Sequence, residues 1–225
     1  MAKHTYDYPR PAVSADCLVL GWGSGALQLL LIQRGNDPFK GCWALPGGFL
    51  DMDENLDVAA KRELTEETGL ANVSVEQLYT FGDVGRDPRA RVITVAYLAM
   101  VRMSDHRAKA ADDAVDARWF PLRQLPELAF DHDQIVETLL RTLRLRIRCQ
   151  PFGAGLLADS FSMSELQALY ENVLGTAIDA EWFRAALLHQ KWLVQCDGDG
   201  AGQELRFDEQ AYQSAVDNGC SLDLW

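Results

Sequence analysis

A chain of 225 residues, 48% hydrophobic and 24% charged, has the composition of a folded globular protein and room for one large domain or two modest ones. Its net charge of −12 opposes indiscriminate adhesion to nucleic acid or anionic membrane, and its longest apolar run, residues 95–101, is far too short to span a bilayer. Five scattered cysteines without CxxC spacing argue against a disulfide framework or zinc site, and the polar start over 1–11 lacks a signal-peptide core, so a cytoplasmic protein with free thiols is expected.

In chain order, strands are predicted over 15–20 and 27–33, flanking Gly21-Trp22-Gly23-Ser24-Gly25. That glycine run superficially suggests a dinucleotide loop, but a second strand follows it rather than a helix, so a hairpin turn is the better reading. Loops follow over 34–41 and 46–54, then a helix over 55–68. Strand patterns recur at 73–81, 91–101 and 114–120, with a short helix at 122–125 and a longer one over 131–148. This β-rich order with interleaved helices predicts an α/β (α+β) sandwich. Composition changes after Arg148, where Pro151, Gly153 and Gly155 mark a connection. Ser162-Met163-Ser164-Glu165 then opens a helix with a capping-box pattern, a second helix covers 179–190, and strands at 192–196 and 204–207 flank Asp197-Gly198-Asp199-Gly200. Helix, turn, helix and hairpin is the order of a winged helix-turn-helix. Two domains are expected, 1–148 and 149–225.

The chemistry concentrates in residues 48–70. Gly48 is followed after five residues by Glu54, after seven more by Arg62-Glu63-Leu64, then Glu66-Glu67 and Gly69-Leu70. Glu63, Glu66 and Glu67 stand at i, i+3 and i+4 of the predicted helix, so their carboxylates share a face. Three like charges there repel, and a hard divalent cation removes that penalty while favouring oxygen ligands. Such a cation on a diphosphate neutralises charge and activates water for attack at phosphorus. Arg62 is placed to pair with Glu54, tying the preceding loop to the helix. Gly47 and Gly48 permit a tight turn that aims backbone groups at metal or phosphate. The plainer reading is a solvated acidic helix face capped by Gly69. Chance agreement with the full spacing somewhere in this chain is on the order of one in ten million at ordinary residue frequencies, which decides against it.

This segment matches the Nudix box, GX5EX7REUXEEXGU, at every defined position, and the chain resembles the Nudix superfamily. Further matches, Trp43-Ala44-Leu45-Pro46-Gly47-Gly48-Phe49, Gly85-Arg86-Asp87-Pro88-Arg89 and Leu128-Ala129-Phe130-Asp131-His132, look like the branch of ADP-ribose pyrophosphatases and Nudix-related transcriptional regulators. The resemblance implies a Nudix α/β/α sandwich followed by a winged helix. It also implies that Glu63, Glu66 and Glu67, with the Gly47 carbonyl nearby, hold Mg²⁺ (or Mn²⁺), with Arg62 and Glu54 completing the catalytic set. The implied reaction is hydrolysis of a nucleoside diphosphate linked to another group, with ADP-ribose giving AMP and ribose 5-phosphate the preferred case.

Arg86, Arg89 and Arg91, beside a strand start, are candidates for a diphosphate or terminal ribose, with Gly48 and Phe49 as neighbouring wall; the alternative is a solvated charge cluster. Asp112, Asp113 and Asp116 are candidates for a further metal ligand or base, with an ordinary acidic loop the favoured alternative. Phe39, Trp43 and Phe49 flank the glycine turn and read as core-packing residues, with stacking of one of them on a base the alternative, and His132 reads as a hydrogen-bonding residue at a helix start rather than a catalyst. Residues 151–225 carry three basic residues against twelve acidic ones, a balance of −9, and the second helix of the tail begins Asp179-Ala180-Glu181 where a DNA reader wants cations or amides. DNA is therefore disfavoured as a partner at this stage, and an enzyme acting as a homodimer is preferred to the rival reading, an ADP-ribose- or sugar-sensing regulator.

Overall fold

The computed structural model describes residues 7–105, 114–196 and 204–220. Its centre is a seven-stranded mixed sheet built around β1 (Ala12–Gly23) and β2 (Ala26–Arg34). The two form the hairpin expected from the glycine run, turning at Ser24-Gly25 with pairs from Leu20↔Leu29 to Gly23↔Ala26. Both strands are almost continuously buried, which is why they read as mainly apolar runs, interrupted only by single polar residues such as Asp16 and Gln28, rather than an alternating pattern. Along one edge β1 runs parallel to β6 (Val92–Val101) over its whole length, and β5 (Glu76–Phe81) lies outside β6. Along its other edge β1 forks. Residues 20–23 pair with β2, while residues 14–16 pair with β4 (Gly47–Phe49). β2 in turn holds β3 (Trp43–Ala44) and β7 (Ala114–Pro121).

The pleat divides the core. Leu18, Leu20, Leu27, Leu29 and Leu31 face α2 (His132–Cys149), whose Ile135, Leu139, Leu143 and Ile147 form a stripe at four-residue spacing. Cys17, Val19 and Leu30 face the opposite layer, where α1 (Leu56–Thr68) contributes Ala60 and Leu64. The buried face of α1 is built from small residues, Ala59 and Ala60, so the helix lies close on the sheet and its acidic side is held against the loops at the fork. Gly69 ends it in the left-handed region, its N–H donating to the Thr65 carbonyl.

The C-terminal part holds β8 (Phe161–Ser162), α3 (Met163–Leu174), α4 (Ala180–Leu188), β9 (Leu193–Cys196), β10 (Glu204–Phe207) and α5 (Glu209–Asn218), with a three-stranded sheet ordered β8-β10-β9. Ser162 caps α3 in a full capping box with Glu165. This unit does not hang on a linker. Leu166, Leu169, Tyr170 and Val173 of α3 belong to the same apolar cluster as β2 and α2. Arg123 donates to the Asn172 carbonyl, Arg144 to that of Val173 and Arg102 to that of Leu157, and the Asn172 side chain accepts from Leu27 N–H.

Two expectations need correction. Residues 122–125 are a turn and not a helix, because Pro121 and Pro126 bracket a stretch too short to nucleate one; Leu122 N–H instead donates to Leu27 O and Gln124 N–H to Pro121 O. The strand expected from 73 begins only at Glu76. α5 had no counterpart in the sequence reading. Asp112, Asp113, Asp197 and Asp199 lie outside the described residues. Replacing Ser162 by Ala removes the hydroxyl that accepts from Glu165 N–H, and is expected to lower stability by about 1 kcal/mol in urea unfolding.

Candidate functional site

The fork in the sheet creates the site. Where β1 leaves β2 for β4, the Gly47-Gly48 turn is pressed against the acidic side of α1. A Cβ on Gly47, whose φ is +157°, would collide with the Ala15 carbonyl, and one on Gly48 would collide with the Glu63 carboxylate. The two glycines are therefore there for close approach. On the helix, Arg62 donates to Glu54 through two nitrogens (3.0 and 2.6 Å), to Glu63 at 2.8 Å, to Glu66 at 3.0 Å and to the Phe49 carbonyl at 3.1 Å. Glu54 also accepts from Asp51 N–H at 2.8 Å, and Glu67 accepts from Gly47 N–H at 2.7 Å. The pairing of Arg62 with Glu54 is thus present.

The carboxylates do not converge on a single point. Glu63 and Glu66 straddle one nitrogen of Arg62 while Glu67 turns to the glycine backbone, and among the described residues no three acidic, His or Cys side chains meet as a metal cluster. Each takes the nearest positive partner, as repelling charges on adjacent turns should. Their environments differ in strength. Glu54, bonded to Arg62 and Asp51 N–H, is held down at about 2. Glu63 is raised above the usual carboxylate range, chiefly by burial against the pull of Arg62. Glu67 is pushed up to about 8, first by burial and then by Glu63 and Asp16, with Gly47 N–H opposing. A carboxylate in that state is short of positive charge. The set is of hard oxygen donors, two of them under-neutralised and beside a backbone turn, and it fits a hard divalent ion.

A second group of charges sits behind the glycine turn. Arg86, 4% exposed in its side chain, makes a bidentate pair with Asp131 (2.8 and 2.6 Å) and lies 3.6 Å from Asp16. Arg89 is bidentate to Asp87 and its guanidinium lies over the rings of Phe49 and Phe130, at 5.2 and 5.4 Å. Burial works against ionisation of Asp87, but bonds from the Arg89 side chain and backbone override it and hold its pKa low. Arg34 lies over the other ring contact of Phe130 at 4.8 Å and donates to the Pro38 carbonyl. A cavity of about 410 Å³, lined by Arg34, Gly48, Phe49, Glu63, Glu67 and Arg89 among others, joins Arg34 and Arg89 to the acidic helix. That volume suits a nucleotide-sized ligand.

Residues 10–139 match the NUDIX domain and residues 153–205 the NrtR DNA-binding winged helix domain, the first match alone spanning more than half of the chain. The chain belongs to the Nudix family. Over 215 residues it is 34% identical to the ADPR responsive transcriptional repressor NtrR of Acinetobacter baylyi, an alignment covering 92% of this chain and 86% of that one. It is 41% identical over 134 residues to the ADP-ribose pyrophosphatase of Methanocaldococcus jannaschii, covering 60% of this chain and 76% of that one. Among solved structures, Shewanella oneidensis NrtR complexed with a 27mer DNA superposes with a TM-score of 0.71 at 29% identity, covering 89% of this chain and 95% of that one. The mixed α/β Nudix fold followed by a winged helix, expected from the resemblance, is what the chain adopts.

Within this Nudix domain the sequence candidates separate. Glu54, Arg62, Glu63, Glu66, Glu67, Gly47, Gly48 and Phe49 are brought together. Arg86 and Arg89 border the same region and each is paired with a carboxylate; Arg86 is buried, so it is not the solvated loop charge that was the alternative, whereas the Arg89 side chain stays 42% exposed. Arg91 donates to the Asp83 and Val92 carbonyls. Asp116 is paired with Arg118 on β7. Trp43 packs edge-on against Phe120, as a packing residue should, whereas Phe39, edge-on to Phe130, and Phe49 stay 40% and 43% exposed, so core packing does not hold for those two. Sequence reasoning missed Asp16, Arg34 and Asp87. Asp16 carried a signal, a lone charge inside a buried strand, which demands a partner.

His132 opens α2 as a buried residue whose Nδ1 accepts from Leu45 N–H at 2.9 Å, with Nε2 4.0 Å from Asp16. Its pKa is lowered, first by burial; Asp16 and Asp131 oppose this, and Arg86 and Arg34 reinforce it. A histidine depressed in the fold stabilises fully above its unfolded pKa of about 6.5, and that contribution is lost as pH falls toward the folded value. The urea midpoint of the wild type is therefore expected to fall between pH 7.5 and 5, and His132→Gln to show a shallower decline over the same window.

Proposed function

We propose that this protein is an ADP-ribose-responsive DNA-binding regulator, with the Nudix domain (1–148) holding the nucleotide and the winged helix (149–225) reading an operator as part of a homodimer. The observation that carries this reading is the reach of the similarity. The repressor is matched over 92% of this chain, through both domains, whereas the pyrophosphatase is matched over 60% of it. This reverses the order of preference drawn from the intact Nudix box and the acidic second helix of the tail. Continuity of the core from β2 through α2 to α3 supports it, because a nucleotide-dependent change at the fork has a packed route to the winged helix. In this reading Arg89 supplies a cationic group toward the diphosphate, Arg86 and Arg91 hold its loop through Asp131 and the Asp83 and Val92 carbonyls, and Gly48 and Phe49 form the adjoining wall.

A second reading, hydrolysis, is favoured by one specific observation: every defined position of the Nudix box is intact, with Glu54, Arg62 and the glycine turn assembled around Glu63 and Glu67. Glu63, Glu66 and Glu67, with the Gly47 carbonyl, would hold Mg²⁺ or Mn²⁺, which when bound supplies diphosphate neutralisation and activation of water. Arg62 keeps Glu63 and Glu66 in place and fixes the loop through Glu54 and the Phe49 carbonyl. Regulation and turnover use the same ligand, so one does not exclude the other.

With duplex DNA from upstream of its own gene, fluorescence anisotropy is expected to give specific nanomolar binding that ADP-ribose changes tenfold or more. By linkage, the DNA changes ADP-ribose affinity by the same factor. Equal affinity for a scrambled duplex would overturn the regulator. For the hydrolase, AMP release from ADP-ribose with Mg²⁺ is expected, and Glu67→Gln or Glu66→Gln should lower kcat roughly a hundredfold or more, without unfolding. Silence across a panel of nucleoside diphosphate derivatives with Mg²⁺ and Mn²⁺ would remove that reading and leave the first intact.

A further inference from the structure

We propose that Cys149 and Cys220 are a reactive thiol pair that closes reversibly into a disulfide, fastening the C-terminal helix to the end of α2. Seventy residues separate them in sequence, yet the N–H of Cys220 donates to the carbonyl of Cys149 at 2.7 Å. Peptide geometry then puts the two α-carbons within about 6 Å of each other, inside the span that a disulfide bridges. Two features hold the approach. Gly219, at φ +75°, reverses the chain after α5, and the Gln150 side chain donates to the Val216 carbonyl at 3.1 Å. The hydroxyl of Tyr212 on α5 donates to the Pro151 carbonyl at 3.0 Å, so both strands of the junction are anchored to one another before any covalent bond forms.

The two sulfurs are suited to different parts. Cys149 is exposed and borders an open cavity of about 480 Å³ at the seam of α2, β5 and α5, where a small oxidant has access. Cys220 is half-buried. Its thiol is raised first by burial and then by Cys149. Cys17 does not compete, because burial holds its thiol far above the ordinary range. With hydrogen peroxide as oxidant, the Cys149 thiolate attacks one peroxide oxygen, the O–O bond breaks, and the departing hydroxide takes up a proton. Cys220 then attacks the sulfenic sulfur, the S–S bond forms and a second water leaves. Two thiols are oxidised and one peroxide is reduced to two waters; a dithiol reductant restores the pair. The bond closes a loop containing the whole winged-helix unit and joins it to a helix of the Nudix domain.

The inference stands apart from the function proposed above and survives its failure. Reduced full-length protein is treated with hydrogen peroxide, free thiols are alkylated, and the protein is digested without reductant for mass spectrometry. The expected product is a monomeric chain with a Cys149–Cys220 linked peptide and alkylated Cys42 and Cys196. Its melting temperature should rise by about 5 °C or more, reversed by dithiothreitol. Cys149→Ser and Cys220→Ser should lose both the linked peptide and the rise. Recovery of both wild-type cysteines as alkylated thiols or separate sulfinic acids, or their linkage to other cysteines or to a second chain, overturns the proposal. If either variant fails to fold, the wild-type peptide map still decides.

Discussion

One guanidinium organises the acidic end of this molecule. Arg62 reaches Glu54, Glu63, Glu66 and the Phe49 carbonyl from a single position on α1. Without it three carboxylates and a carbonyl would face one another across a few ångströms. Like charges at such distances repel, most strongly where Glu63 is sheltered from solvent. Arg62 converts that repulsion into attachment and ties the loop at 49–54 to the helix. A lysine offers no planar fork for the bidentate bond to Glu54, so the position calls for arginine in particular. Glu67 lies beyond the reach of this clamp and takes Gly47 N–H instead, which leaves it the least compensated acid of the group.

The same economy runs through the buried side of the site. Asp16, Arg86, Asp131 and His132 come from a strand, a loop and a helix start, and each satisfies a charge or donor that would be costly alone. Their placement follows from the fork of β1, which gives up β2 for β4 and so brings Gly47 beside Asp16. Because His132 and Asp131 begin α2, and α2 packs α3, the charges beneath the candidate site and the winged helix share one rigid element.

What the sequence revealed and what it hid follow from range. Glu63, Glu66, Glu67 and Arg62 were legible because helix geometry converts their spacing directly into proximity, and Glu54 lies only eight residues from its partner. The capping box at Ser162 and Glu165 was legible for the same reason. The Arg86–Asp131 pair joins residues 45 apart through tertiary packing, so no local pattern announces it. Asp16 betrayed itself only as a charge in an apolar strand. The short helix expected at 122–125 failed because its apolar residues were weighed without the two prolines that bracket them. The contact between Cys149 and Cys220 depends on α5, a helix the sequence reading did not identify.

The anionic winged helix remains the hardest feature to reconcile with DNA, and length scale resolves much of it. The −9 balance of residues 151–225 acts on an approaching duplex chiefly beyond contact, where salt screens it over about 8–10 Å. Contact itself is decided by the side chains on the exposed face of α4. Phe183 and Leu187 point into the core, which leaves Trp182, Arg184, Leu188 and His189 outward, with Glu181. That face has few cations, so it releases few counterions, and the salt dependence of binding should be shallow at about −0.9 per phosphate contacted. A DNA reader built this way would gain little from non-specific electrostatics and would depend on direct contacts and, in the proposed homodimer, on two copies acting together. In the proposed regulator reading, low non-specific affinity would be an asset, because it would leave occupancy of an operator sensitive to a modest change in geometry relayed through α2.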